Sequence, residues 1–126
     1  MAKISESTAS EHLDLDGIEG HYGPIGDYTV GFETYGRDED PAPLFTGLPD
    51  DSCQSPHWGV VLEGTLVYRY TDGSEEVIEA GEAYYAPPGH LPVFKAGTRL
   101  VEFSPTADLD KTMAVVMANM EAMQAG

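Results

Sequence analysis

Cys53 and His57 stand four residues apart in DDSCQSPHWGVVLEG, the stretch from Asp50 to Gly64. It holds the only cysteine and the only tryptophan of the chain, and one of its four histidines. A thiolate and an imidazole are both good ligands for a borderline-soft divalent ion. The same two residues also serve as a small buried hydrophobe and a hydrogen-bonded pocket histidine. At this point both readings stand.

The elements that must position this pair are short strands. "YTVGFETY", from Tyr28 to Tyr35, alternates: Tyr28, Val30 and Phe32 share one face, Thr29, Glu33 and Tyr35 the other. "GRDEDPAPLFTGLPDD" follows, rich in charge, proline and glycine, and reads as a long irregular segment of covering or functional type. His57 to Leu62 and then "TLVYRY" are strand-like, with Leu66, Tyr68 and Tyr70 on one face. "TDGS" signals a hairpin with a two-residue turn, since Asp-Gly tolerates positive φ. "EEVIEA", "AYYAPPG", "HLPVF" and "RLVEFSP" are further strands between glycine turns. In the tail, Met113, Val116, Met117, Met120 and Met123 recur at spacings of three and four, a helical stripe. Asp108 and Asp110 sit at its start, where negative charge suits the helix dipole. Such a stripe caps its own barrel or a dimer seam, or forms a partner-binding face. Many short strands with one terminal helix indicate an all-β sandwich or barrel.

Composition bounds the rest. The 126 residues fit one domain, and 41% hydrophobic residues suffice for a core. Six Lys plus Arg stand against 22 Asp plus Glu, a net charge of −16, which repels phosphate backbones and anionic lipid. No nucleic-acid or membrane partner is expected. No apolar run has the length of a transmembrane helix, MAKISESTASEH lacks the apolar stretch of a signal peptide, and one cysteine makes no internal disulfide. A cytoplasmic protein is expected.

From Asp51 to Ser104 the chain resembles the cupins, small jelly-roll β-barrels. The second cupin motif begins with a glycine, five residues and P-x-G; here Gly81, "EAYYA", Pro87, Pro88 and Gly89 match it. The first motif closes on a glycine after a strand, as "VVLEG" closes on Gly64. Residues 65–80 between the motifs have the family's short length and central hairpin. The resemblance implies an all-β cupin jelly-roll barrel over 13–106, after a loose N-terminal segment 1–12 and before a C-terminal α-helix 107–126.

The family's metal ligands are two histidines and a glutamate in the first motif and a histidine in the second. The motif glutamate lies seven residues before the closing glycine, so its place is taken by His57, not Glu63. The two histidine positions hold Asp51 and Cys53, and the second-motif histidine position holds Pro92. His90, two residues earlier, faces the same side of an extended strand as Pro92. By the same period Asp51, Cys53 and His57 can all point inward. The implied ligand set is Cys53, His57, His90 and Asp51. Its mixture of S, N and O donors favours zinc over iron or manganese.

Other rings bear on a pocket. Trp58 faces away from His57. Tyr84 and Tyr85 are adjacent, so only one faces inward, and Tyr85 is assigned there with Tyr68, Pro92 and Phe94 as ligand-lining residues. Two functions remain open. One is a metal-dependent enzyme of isomerase, lyase or hydrolase type acting on a small organic molecule inside the barrel. The other is a metal-free cupin that binds a small ligand without catalysis. An interaction module using the Met helix is a third reading, and a homodimer is expected.

Overall fold

The computed structural model describes residues 3–15 and 17–125. Its strands are β1 (Glu11–Leu15), β2 (Ile18–Ile25), β3 (Tyr28–Tyr35), β4 (His57–Glu63), β5 (Thr65–Tyr70), β6 (Glu75–Glu79), β7 (Ala83–Ala86), β8 (His90–Phe94) and β9 (Thr98–Pro105), followed by helix α1 (Thr106–Ala125). They form two antiparallel sheets, one of order β1-β2-β3-β9-β4-β7 and one of order β6-β5-β8. This is the jelly-roll architecture with a C-terminal helix that the cupin resemblance implies. β1 begins at Glu11, so its first two residues come from the segment expected to be loose, and α1 begins one residue earlier than expected. Among the described residues no helix is long and apolar enough to cross a membrane.

Strand alternation decides what enters the space between the sheets. β8 buries His90, Pro92 and Phe94 and leaves Leu91 and Val93 less covered. β5 buries Leu66 and Tyr68. With Val61, Ile78, Ala86 and Leu100 they form the main core. Pro92 is tolerated because β8 is an edge strand of its sheet. The free edge of β8 bonds instead to two isolated partners, Cys53 at His90 and Glu39 at Phe94, and Pro92 stands between them where no N–H is needed.

The crossing from one sheet to the other falls at Gly64, whose φ of +80° suits only a residue without Cβ. A Cβ there would also lie 2.7 Å from the Thr98 Cα. The expected two-residue turn at "TDGS" is instead a three-residue loop, 71–73. The Tyr70 N–H bonds to the Ser74 carbonyl and the Gly73 N–H to the Tyr70 carbonyl, with Gly73 at φ +88°.

Residues 36–51 form the irregular cover. They contain two short 3-10 turns, Ala42–Phe45 and Pro49–Asp51. Helix α1 lies on them. Met113, Val116 and Met120 pack with Leu44, Phe45 and Leu48, and the Asn119 amide donates to the carbonyls of Leu44 (2.7 Å) and Thr46 (2.9 Å). The inner part of the Met stripe therefore caps its own barrel, while Met117 and Met123 stay exposed.

Candidate functional site: a buried thiol, two imidazoles and a carboxyl pair

The barrel holds a partly open cavity of about 650 Å³, bordered on one side by Met113, Val116 and Met120 of α1. Cys53, His57 and His90 meet in its wall, and one donor atom from each lies within 4.8 Å of the other two. The local backbone explains this. Cys53 bridges to the first residue of β8, its N–H bonding to the His90 carbonyl at 2.9 Å. His57 opens β4 with its side chain inward, and its Nε2 is 3.5 Å from the Cys53 Sγ. The two imidazole rings are 4.8 Å apart.

The other ring nitrogens are held from behind. His90 Nδ1 lies 2.6 Å from the Pro87 carbonyl. A carbonyl only accepts, so Nδ1 carries the proton and Nε2 presents a lone pair. That Nε2 is buried and has no hydrogen-bond partner. Ser104 Oγ is 2.6 Å from His57 Nδ1 and accepts from it in the tautomer that turns the His57 Nε2 lone pair toward Cys53. An imidazole whose far nitrogen is fixed by an oxygen is the usual posture of a metal-ligating histidine. The donor set and the orphaned His90 Nε2 thus fit a divalent transition ion.

With no cation near them these groups are neutral. Burial pushes both His57 and His90 down to about 4, for His90 with a smaller contribution from His57. Burial pushes the Cys53 thiol up to about 12.

Asp51, expected as a fourth ligand, is not in the cluster. Residues 49–51 form a 3-10 turn rather than a strand, Asp51 has φ +51°, and its exposed carboxylate accepts from the Gly47 N–H at 2.9 Å. The period of two that aligns Asp51 with Cys53 fails where the backbone is not extended. Tyr85 is also placed differently. It is 49% exposed and stacks on the outer face against Trp58, ring centroids 5.1 Å apart. Its neighbour Tyr84 is the ring that turns inward. Tyr68, Pro92 and Phe94 line the cavity, Phe94 stacked on Tyr35 at 3.7 Å. Glu63 is exposed, 3.5 Å from Arg99.

A second set of groups was not singled out from the sequence. Glu102 on β9 and Glu33 on β3 both face the cavity. Tyr68 and Tyr84 donate to Glu102 Oε1 at 2.8 and 2.7 Å. Glu102 Oε2 is 3.6 Å from His57 Nδ1. Tyr22 donates to Glu33 Oε2 at 2.5 Å, and Tyr35 bonds to the same carboxyl. Burial, then the neighbouring Glu102 charge, push Glu33 up to about 7, and burial raises Glu102 as well. Two buried carboxyls whose charges act on each other do not both ionise readily.

Two glycines make this possible. Tyr22 is directly opposite Gly31 across β2 and β3, and Tyr84 is opposite Gly59 across β7 and β4. A Cβ at Gly31 would sit 2.8 Å from the Tyr22 ring, and one at Gly59 would sit 2.7 Å from the Tyr84 hydroxyl. The Tyr22 ring lies over Gly31 and delivers its hydroxyl to Glu33 on the same adjoining strand, while the Tyr84 ring lies over Gly59 of β4 and delivers its hydroxyl to Glu102 on β9 beyond it. The available signal was a glutamate on the Thr29–Tyr35 face and another between Leu100 and Ser104, both in period two with inward residues.

No protein-family profile matches the chain, and no curated protein sequence matches it. Similar solved structures include the polyketide cyclase RemF from Streptomyces resistomycificus (13% identity, TM-score 0.57, covering 83% of this chain and 79% of that one). An RmlC-like cupin from Shewanella frigidimarina is similar at 18% identity and TM-score 0.55, covering 83% and 92%. A protein of unknown function from Rhizobium leguminosarum is similar at 21% identity and TM-score 0.55, covering 82% and 94%. The two antiparallel sheets with an interior side-chain site, set beside these likenesses, identify the chain as a small β-barrel of the cupin fold.

Proposed function

We propose that this cupin is a metal-dependent enzyme that acts on a small organic molecule inside the barrel, with chemistry of the isomerase, lyase or hydrolase type. The supporting observation is the Cys53–His57–His90 cluster, in which the buried His90 Nε2 has no partner. Cys53 Sγ, His57 Nε2 and His90 Nε2 would hold a divalent ion. One thiolate with two imidazoles is a soft set that favours zinc over iron or manganese. A bound zinc ion would supply Lewis acidity toward a carbonyl or water oxygen.

The chain's own residues supply the rest. Glu102 is fixed through Oε1 by Tyr68 and Tyr84, which leaves Oε2 turned toward His57 as the group that takes or returns a proton at a bound molecule. Helix α1 packs on residues 36–51 beside the cavity and limits the access of bulk water from that side. A reducing, cytoplasmic setting suits a site that requires Cys53 as a free thiol.

Elemental analysis of protein purified without chelator should find about one zinc per chain, and Cys53→Ser should lower zinc affinity by at least about ten- to a hundredfold, since losing a ligand costs no less than losing a residue that only orients one. Protein that holds no transition metal at stoichiometry, and whose ligand binding survives Cys53→Ala, would instead support the metal-free binding cupin. That second reading is favoured by one observation: the Cys53 thiol already has neutral partners, Ser55 O at 3.8 Å and His57 Nε2.

A further inference from the structure

We infer that the molecule received by this cavity is a small organic cation, an amine with an apolar body, whose ammonium group is held by Glu33 and Glu102. This rests on the reading that the barrel binds a small molecule, and it narrows that reading to one charge class.

The lining of the cavity is one-sided. Glu33 and Glu102 lie in its wall, and Glu11, Glu39 and Asp110 also border it. Among the described residues that line it there is no lysine or arginine. The arginines elsewhere are engaged by acids: Arg37 with Glu39, Arg69 with Asp40, Arg99 with Glu6 and Glu63. Away from the Cys53–His57–His90 cluster, an anion entering this space would shed its hydration and meet carboxyl groups with no lysine or arginine to compensate it. A neutral alcohol would find acceptors but no compensation for charge.

The carboxyl pair is an awkward thing for a fold to keep. Two buried acids without a cation are commonly less stable than apolar residues of the same volume. Their tyrosine partners orient them without neutralising them. Four tyrosine hydroxyls, those of Tyr22, Tyr35, Tyr68 and Tyr84, bond to the pair. Two carboxylates offer about eight lone-pair positions, so acceptor capacity remains for an ammonium with its three donors. Aromatic faces beside the acids, including the Tyr35–Phe94 stack, suit a cation as well. Elsewhere in the lining Phe45, Met113, Val116 and Met120 offer an apolar, adaptable surface for the body of the molecule. A cavity of about 650 Å³ is large enough to enclose such a body.

Three molecules of nearly equal shape test this: benzylamine, benzyl alcohol and benzoate. Each is titrated by calorimetry into chelator-treated and zinc-loaded protein, wild type and Glu33→Gln. In chelator-treated protein benzylamine should bind wild type roughly tenfold or more tighter than benzyl alcohol, with benzoate weakest, as expected for a charge-assisted bond, and the amine should keep its lead over the alcohol when zinc is loaded. Glu33→Gln should shrink the preference for the amine to about threefold or less. If that variant does not fold, the ranking of the three molecules on wild type decides alone. Benzyl alcohol or benzoate binding chelator-treated protein as tightly as the amine does overturns the cation while leaving a ligand-binding cavity in place. An amine that binds only zinc-loaded protein, and is indifferent to Glu33→Gln, sits on the metal and also overturns it. If none of the three binds in any state, the inference and the small-molecule reading fall together.

Discussion

Asp51 and Cys53 are two residues apart, yet only the cysteine reaches the cavity. The difference is a single 3-10 turn that ends at Asp51, after which the chain extends and Cys53 bridges to His90. Individual side chains in the wall are therefore set by backbone events one or two residues away. Glu33 shows the same dependence in its protonation. Its pKa rises from 4.5 to about 7 in the folded barrel. Between those values the unfolded chain has released a proton that the folded chain retains, so this group's stabilisation is full below pH 4.5 and is lost as pH rises toward about 7. His57 and His90 act with the opposite sign. Folding lowers them from 6.5 to about 4, so their contribution is lost as pH falls through that window. In chelator-treated protein, the stability of Glu33→Gln relative to wild type should climb as pH rises from 4.5 to about 7, by up to about 3 kcal/mol. Urea midpoints across that range measure it. A difference that stays flat would mean the Glu33 carboxyl is not perturbed.

At the scale of strands and turns, the site depends on what is missing. Gly31 and Gly59 leave floor space for Tyr22 and Tyr84, and those rings carry the hydroxyls that fix the acids. Gly31→Ala should push the Tyr22 ring off its place and cost about 1–3 kcal/mol through overpacking. Gly36→Ala serves as control, since its Cβ would meet nothing nearer than the Gly17 carbonyl at 3.7 Å, and it should stay within about 0.5 kcal/mol. Equal urea midpoints for the two variants would remove the space-filling explanation. The strands themselves were legible because alternation is a local property. Alternation separates the two faces of β3, but nothing in "YTVGFETY" says that the face with Glu33 and Tyr35 points inward. The more apolar Val30 face is instead covered from outside, where Ile4 lies against Gly23, the cross-strand neighbour of Val30. β1 and most of β2 escaped notice because their residues, Glu11 to Ile25, mix charge, glycine and proline without a clean period.

Over the whole molecule, charge and aromatic surface are separated. The chain carries −16, yet the outer face of the larger sheet holds Tyr28, Trp58, Tyr85 and Phe103, all uncharged and each more than a third exposed. Trp58 contacts both Tyr28 and Tyr85 and pairs with Phe103 across β4 and β9. Two strongly acidic copies repel least where neither presents a charge, so we propose this patch as the contact of the expected homodimer. Sedimentation should show a dimer for wild type and a monomer for Trp58→Glu. Wild-type protein that sediments as a monomer at tens of micromolar would refute the assignment.

Within the sequence, alternation and turn residues determined an all-β sandwich or barrel and a shared face for His90, Pro92 and Phe94, and donor chemistry marked Cys53 and His57 as residues able to share a ligand, while the cupin resemblance implied the jelly-roll barrel, the turn at Gly64 and the inward direction of that face. The first features follow from short-range rules of alternation and donor chemistry. The tertiary structure decided which tyrosine of Tyr84 and Tyr85 turns inward, the exclusion of Asp51, and the meeting of Glu33 with Glu102. Each of those depends on how distant strands are paired and which face the second sheet covers, and burial then shifts the protonation of whatever is enclosed.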